Sequence, residues 1–221
     1  MSGSEQLSAP LNSRAENEAA ARSRIYALLG EAFSYPRGES VLRLLEGDWL
    51  ADLSQALMHL DHGIDAPQSL DLPDSKNAIE TLEQQYSGLF DVLGAAPRVS
   101  LLERGYVDTG EHALWQELLG FYRHFGLDFS QGYAEEQPDH LLTELAFMHY
   151  LCFLEAGARA GKEDYRRGQR DFLNLHLGKW GDALCQRLSE SAQGSFYDIA
   201  ADFMRRFIAS ERRSPETSLE Y

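Results

Sequence analysis

The sequence predicts an all-α protein with one core, and three observations carry that expectation. Apolar residues recur at three- and four-residue spacing in segment after segment, as one buried helix face requires. No run of four to eight residues alternates apolar and polar in the manner of a half-buried strand. At 221 residues with a hydrophobic share of 43% the chain is long enough to bury a single core, roughly 70–75% of its unfolded area by size scaling.

The elements follow in chain order. Ser13-x-x-Glu16 is a capping box that opens a first helix, with Ala21, Ile25, Leu28, Leu29, Ala32 and Phe33 as its inner face. Tyr35-Pro36 ends it, because proline disfavours helical backbone in the residue before it. Leu50, Leu53, Leu57 and Leu60 repeat after Trp49, and the Gly-, Asp- and Pro-bearing stretch 61–74 then breaks the pattern. Asp74 or Ser75 caps the next helix, which turns Ile79, Leu82, Tyr86, Leu89, Phe90 and Leu93 to one side before Gly94-Ala95-Ala96-Pro97. From Arg98 to Gly110 the period is lost, which suits a loop of functional length.

Leu114, Leu118, Phe121 and Phe125 mark another helix, closed by Gly126. Pro138 opens one whose inner face is Leu141, Leu145, Met148 and Cys152. The longest pattern, Leu173, Leu177, Trp180, Leu184 and Leu188, reads as a single helix. Gly178 and Gly181 lie inside it, each costing about 1 kcal/mol against alanine, which suggests that a neighbouring helix packs closely there. Phe196, Ala200, Phe203 and Phe207 mark the last helix. Residues 1–12 and 211–221 carry no pattern and are expected to be disordered tails around a helical domain spanning 13–210. That domain is either one bundle or two closely packed halves joined at a hinge.

Charge and composition narrow the function. A net charge of −15 argues against nucleic acid, whose backbone demands a Lys/Arg surplus, and against an anionic membrane surface. A basic peptide or protein would be attracted, although the same charge also serves solubility. Cys152 and Cys185 fall on apolar helical stretches with no Cys-x-x-Cys, which predicts two buried reduced thiols. The first twelve residues have neither a basic n-region nor an apolar h-region, and no stretch reaches 18 uninterrupted apolar residues. A cytoplasmic protein without stable membrane insertion is expected.

Motifs for catalysis are absent from the sequence. A di-iron bundle needs Glu-x-x-His on two helices, and no Glu-x-x-His occurs. His59-x-x-His62 could bring two imidazoles together, but it sits at a polar helix end without an evident acidic or cysteine partner. Gly-x-Ser-x-Gly, Gly-x-Gly-x-x-Gly and the Walker pattern are also missing. The expectation is therefore no enzyme, no catalytic residue, no metal and no cofactor.

One polar cluster remains, the run Glu135-Glu136-Gln137-Pro138-Asp139-His140 leading into Leu141-Leu142-Thr143-Glu144. On periodicity alone it is a helix entrance: Asp139 as the N-cap, His140 as an ordinary first-turn residue, and Glu144 as its surface partner at i+4.

The run Glu135-x-x-Pro138-Asp139-His140-x-x-x-Glu144-Leu145-x-Phe147-Met148 resembles the signature of the TorD/DmsD/NarJ family of molybdoenzyme maturation chaperones. Tyr86-x-x-Leu89-Phe90 with Pro97-x-x-Ser100, the aromatic stretch Trp115 to Phe125, and Phe172-Leu173-x-x-His176-Leu177-x-x-Trp180 follow the family's order. The resemblance covers roughly residues 24 to 208. It departs at Leu102, where the family often has an aromatic residue two positions after the serine.

The resemblance implies a TorD-like all-helical fold without catalysis. It implies a chaperone that binds the apo form of a molybdoenzyme catalytic subunit of the dimethyl sulfoxide reductase type, its twin-arginine signal peptide, or both. Export is held back until the molybdenum cofactor is inserted, an indirect role in cofactor chemistry. The peptide-binding residues it implies are Pro138, Asp139 and His140 at a hinge, with Glu135 and Glu144 beside them and Tyr86, Phe90 and Ser100 at other recurrent positions. The expected partners are that subunit and its signal peptide, and the expected state is monomer or homodimer. An assembly factor for the mature body of such a subunit is the alternative, and a metal- or nucleotide-dependent enzyme is a remote one.

Overall fold

The computed structural model describes residues 13–61, 63–72, 77–90, 97–127 and 137–213. Among them are nine α-helices: α1 Arg14–Phe33, α2 Glu39–Glu46, α3 Asp48–Leu57, α4 Ala78–Phe90, α5 Glu111–His124, α6 Leu141–Gly157, α7 Lys162–Leu175, α8 Leu177–Ala192 and α9 Phe196–Arg213. A 3-10 turn spans Glu103–Gly105. The one β-type contact among the described residues is an antiparallel bridge between Leu102 and His140. The fold is all-α, as the periodicity predicts.

The α1–α6 pair forms the spine of the bundle, with α7 against α6, α8 between α7 and α9, and α3 against α1. Ser13 caps α1 through the predicted box, its hydroxyl accepting from Glu16 N at 3.2 Å while Glu16 reaches back to Ser13 N at 3.1 Å. All six residues assigned to the inner face of α1 are buried. So are Leu141, Leu145, Met148 and Cys152 of α6, and Phe196, Ala200, Phe203 and Phe207 of α9. Trp49 is fully buried and donates its indole N–H to Leu28 O at 2.8 Å, which ties α3 to α1.

Several expectations need correction. Helix α2 has no counterpart in the sequence reading, because two turns between Gly38 and Gly47 are too short to repeat a period. Its Val41 and Leu44 nonetheless enter the core. Leu60 lies beyond the end of α3, and Ile79 of α4 is 44% exposed while Ala78 takes the inward place. The long Leu173–Leu188 pattern is two helices broken at His176, whose backbone (φ −127°, ψ −104°) is not helical. All five apolar residues are still buried, so the periodicity runs through the break without revealing it.

A Cβ at Gly178 would meet Leu173 O at 2.4 Å and Arg212 Cδ at 3.0 Å, so the chain's own reversal between α7 and α8 requires glycine as much as α9 does. Gly181 does face α9, with Ile208 Cδ1 at 3.7 Å from an added Cβ, an ordinary contact. Helix α9 runs to Arg213, past the domain boundary expected at 210. The other tail residues, Leu93 and the Asp74/Ser75 cap lie outside the described residues.

The extension of α9 has a physical cause in Glu211, which is fully buried and meets Arg22 of α1. Arg22 Nε donates to both Glu211 oxygens at 2.9 and 2.7 Å, and its other nitrogens reach Gln169 Oε1 at 2.7 Å and Glu155 Oε2 at 3.4 Å. Arg166 donates to Glu155 at 2.7 Å, and the Tyr26 hydroxyl donates to Glu211 at 3.3 Å. Four helices, α1, α6, α7 and α9, thus meet at one charge-balanced cluster. Burial works against the Arg22 charge, but Glu211 and its neighbours hold the guanidinium well above the ordinary arginine range.

Removing one member of a buried ion pair leaves the other charge uncompensated, a loss of roughly 3–5 kcal/mol. Arg22→Met should lower unfolding stability by about that much in urea titration, and a loss below about 1 kcal/mol would place the cluster with weak surface pairs.

Candidate functional site at the entrance to α6

Pro138 is buried and its carbonyl accepts a hydrogen bond from the Tyr122 hydroxyl of α5 at 2.8 Å. Proline brings no N–H to satisfy, so the carbonyl is the backbone group that needs an answer here. His140 N donates to Gln137 O at 3.1 Å, closing the turn around Pro138 and Asp139.

The N-cap of α6 is His140, not Asp139. His140 is half-buried, and its Nδ1 accepts from Leu142 N at 3.2 Å. Asp139 is turned the other way, into the 98–110 loop, with no exposure at all. Its Oδ1 accepts from Trp115 Nε1 of α5 at 2.8 Å and from the Arg104 guanidinium at 3.3 Å. Oδ2 lies 3.4 Å from Arg104 N, and the Asp139 carbonyl accepts from Glu103 N at 2.8 Å. Together with the bond from Leu141 N to Leu101 O at 2.8 Å, these contacts lay the loop across the start of α6.

Glu144 is also not where periodicity puts it. Instead of meeting His140 at the surface it is fully buried, accepting from Trp180 Nε1 of α8 at 3.0 Å and hydrogen-bonding to Glu103. Burial, reinforced by the Glu103 carboxylate, holds its pKa well above the ordinary glutamate range. A neutral Glu144 can donate its proton to Glu103, so two carboxyls share a dry site without two charges. His176 Nδ1 lies 3.2 and 3.3 Å from the Glu103 oxygens, which explains why the chain breaks between α7 and α8 to bury that ring.

The remaining predicted residues fall in different places. Ser100 shapes the loop: its hydroxyl accepts from Leu102 N at 3.1 Å and its carbonyl from the Tyr106 hydroxyl at 2.8 Å. Tyr86 and Phe90 are half-buried on α4, in an aromatic cluster with exposed Tyr35 and buried Tyr197, at centroid distances of 4.9 to 6.0 Å. Val99 N bonds to Leu89 O at 3.0 Å, linking the end of α4 to the loop that reaches Asp139. Glu135, Glu136 and His62 lie outside the described residues, so the His59 and His62 pair is not placed. Glu103, Arg104, Trp115, His176 and Trp180 complete the site but were not assigned to it by sequence. Glu103 in particular sits in a stretch without period, and nothing in its neighbours signals burial.

Cys152 and Cys185 are free and buried; burial pushes the Cys185 thiol up to about 12 and Cys152 above the usual thiol range. Neither has the thiolate character a nucleophile needs. Among the described residues no group of histidine, cysteine and carboxylate side chains is disposed to hold a metal ion.

The Glu144 site fixes a pH dependence. Its folded state keeps a proton that the unfolded chain releases near pH 4.3, so this contribution to stability is fullest below that pH and declines as pH rises toward the folded value. Glu144→Gln keeps the acceptor for Trp180 and a donor for Glu103 without titrating. Its stability relative to the parent should therefore grow from about pH 4.5 upward, and parallel pH profiles in chemical unfolding would contradict the assignment.

Comparison with known proteins agrees with this architecture. Residues 47–186 match the nitrate reductase delta subunit family. The chain is 36% identical over 167 residues to the selenate reductase assembly chaperone protein of Thauera selenatis, covering 74% of each. It is 31% identical over 196 residues to the perchlorate reductase assembly chaperone protein of Dechloromonas aromatica, covering 85% of this chain and 87% of the other. A solved Archaeoglobus fulgidus structure assigned to redox enzyme maturation has the same fold, with a TM-score of 0.52 and 18% identity over 93% of this chain and 99% of that one. With the family match spanning residues 47–186 and relatives of this identity and coverage, the chain belongs to the TorD/NarJ family of redox enzyme maturation proteins.

Proposed function

We propose that this chain is a cytoplasmic chaperone that binds the apo catalytic subunit of a molybdoenzyme of the dimethyl sulfoxide reductase type through its twin-arginine signal peptide, delaying export until the cofactor is in place. The observation that supports this reading is the set of groups at the α6 entrance that surrounds the guanidinium of the chain's own Arg104. The Arg104 guanidinium lies 3.3 Å from Asp139 Oδ1, contacts the Gln137 side chain, and reaches Glu111 Oε2 at 3.5 Å. It also stands 5.7 Å from the centre of the Trp115 ring. A carboxylate, an amide oxygen and an aromatic face together suit a planar guanidinium better than an ammonium.

In this reading a signal-peptide arginine exchanges with Arg104 or pairs with Glu111 at the rim. Asp139 forms the base, Pro138 and His140 fix its geometry, and Ser100 shapes the loop that carries Arg104. Glu144, behind Trp180, supports the site and does not touch the peptide. Tyr86 and Phe90, with exposed Tyr35, offer apolar surface for the segment that follows the paired arginines. Glu135 belongs to the same acidic approach. The chaperone itself holds no cofactor and catalyses no reaction.

The burial of Asp139 and Glu144 favours a second component of binding, contact with the mature body of the subunit, because the acids exposed to a leader are fewer than the sequence suggests.

Calorimetric titration of a twin-arginine signal peptide tests the site. Asp139→Asn should weaken binding about tenfold or more, some 1.4 kcal/mol, His140→Ala should weaken it, and Arg104→Ala should tighten it by vacating the site. A twin-lysine peptide should gain little from Arg104→Ala. Unchanged affinity in Asp139→Asn and His140→Ala, with folding intact, would overturn the reading.

A further inference from the structure

Helices α5 and α7 enclose a groove of about 590 Å³ on the outside of the bundle, lined without any residue of the Asp139 site. From α5 it takes Glu117, Gly120, Phe121 and His124; from α7 it takes Asp164, Arg167, Gly168 and Asp171. Both sets have the i, i+3, i+4, i+7 spacing of one continuous helix face, so one face of each helix borders an apolar floor. The floor is Phe121 and Phe125, and Phe125 lies so close to α7 that a Cβ on Gly168 would meet its ring at 2.4 Å.

Gly168 is thus explained within the monomer, but Gly120 is not. A Cβ at Gly120 would meet nothing within 4 Å, and the residue is exposed in the interior of α5, where glycine destabilises a helix relative to alanine. Gly30 and Gly88 share such openness, so openness alone does not mark a site. Gly120 is set apart by lining the same groove as Gly168, where the missing side chain leaves a helix backbone open to close approach.

The rims are mainly acidic. Asp171 is paired to Arg170 at 2.8 Å, which leaves Glu117 and Asp164 against Arg167, with His124 at one end. This sign repeats the −15 of the whole chain.

We propose that the α5–α7 groove docks a basic amphipathic helix from the folded body of the client subunit, its small apolar face over Gly120 and its lysines and arginines toward Glu117 and Asp164. The groove's volume admits a few side chains, so the partner helix lies across it and is not swallowed by it. In helix-in-groove recognition of this kind the bound helix supplies the i, i+3, i+4 and i+7 anchors, here facing Phe121 and Phe125. The proposal rests on the chaperone reading for the partner's identity, and gives that partner a second point of attachment separate from the leader site.

The test uses the full chain and the subunit that co-purifies with it from its own cells, re-expressed cofactor-free with and without its leader. Gly120→Leu fills the groove while improving helix propensity, so it should melt at or above the parent temperature. Its affinity for the leaderless subunit should fall tenfold or more, and its affinity for the isolated leader peptide should not change. Glu117→Lys should reproduce the selective loss, more strongly at low salt. Leaderless-subunit binding that survives both substitutions overturns the proposal, as does a loss confined to the leader peptide. A parent protein that binds neither probe overturns the chaperone reading itself.

Discussion

Asp139 has no exposed surface, and that constraint organises the middle of the molecule. A carboxylate out of water has to be met by donors, and these come from parts of the chain distant in sequence: the Trp115 indole on α5 and the side chain and backbone of Arg104. Because the neighbouring backbone also pairs with Leu101 and Glu103, the loop and the α6 entrance act as one unit. The Pro138 carbonyl, bound by Tyr122, fixes the same unit to α5.

Beneath it the chain resolves a harder electrostatic problem. Glu103 and Glu144 are both within 1% of complete burial, with Trp180 and His176 as their donors. Keeping Glu144 protonated removes the like-charge repulsion and turns the pair into a hydrogen bond. The Arg22 cluster at the other end of α6 solves its version by balancing charges instead, with two arginines against Glu155 and Glu211. The long apolar spine of α1 and α6 is therefore flanked by polar assemblies that fix which helices meet and in what register.

The helices were largely legible because burial imposes a period, and burial faces of α1, α6 and α9 follow directly from it. What escaped was set by tertiary polar contacts. The break at His176 leaves the apolar spacing intact, and α2 is too short to show a period. Asp139 looks like a cap from its neighbours alone, yet Trp115 and Arg104 draw it away and leave the capping to His140. Glu144 sits at i+4 from His140 as a surface pair would, but Trp180, 36 residues on, decides its position. Family resemblance located the motif; only the fold shows which of its groups face outward.

This division between buried scaffold and accessible rim suits the proposed chaperone role. The outward groups at the α6 entrance are Arg104, Gln137, Glu111 and part of Trp115, arranged over a carboxylate that water does not reach. Hydrogen exchange on the full chain with and without a twin-arginine peptide addresses the coupling most directly. The account predicts that peptide binding changes protection together at residues 101–106 and 141–144, while α2 and α3 stay unchanged. Protection that changes elsewhere, with both of those segments unaffected, would contradict it.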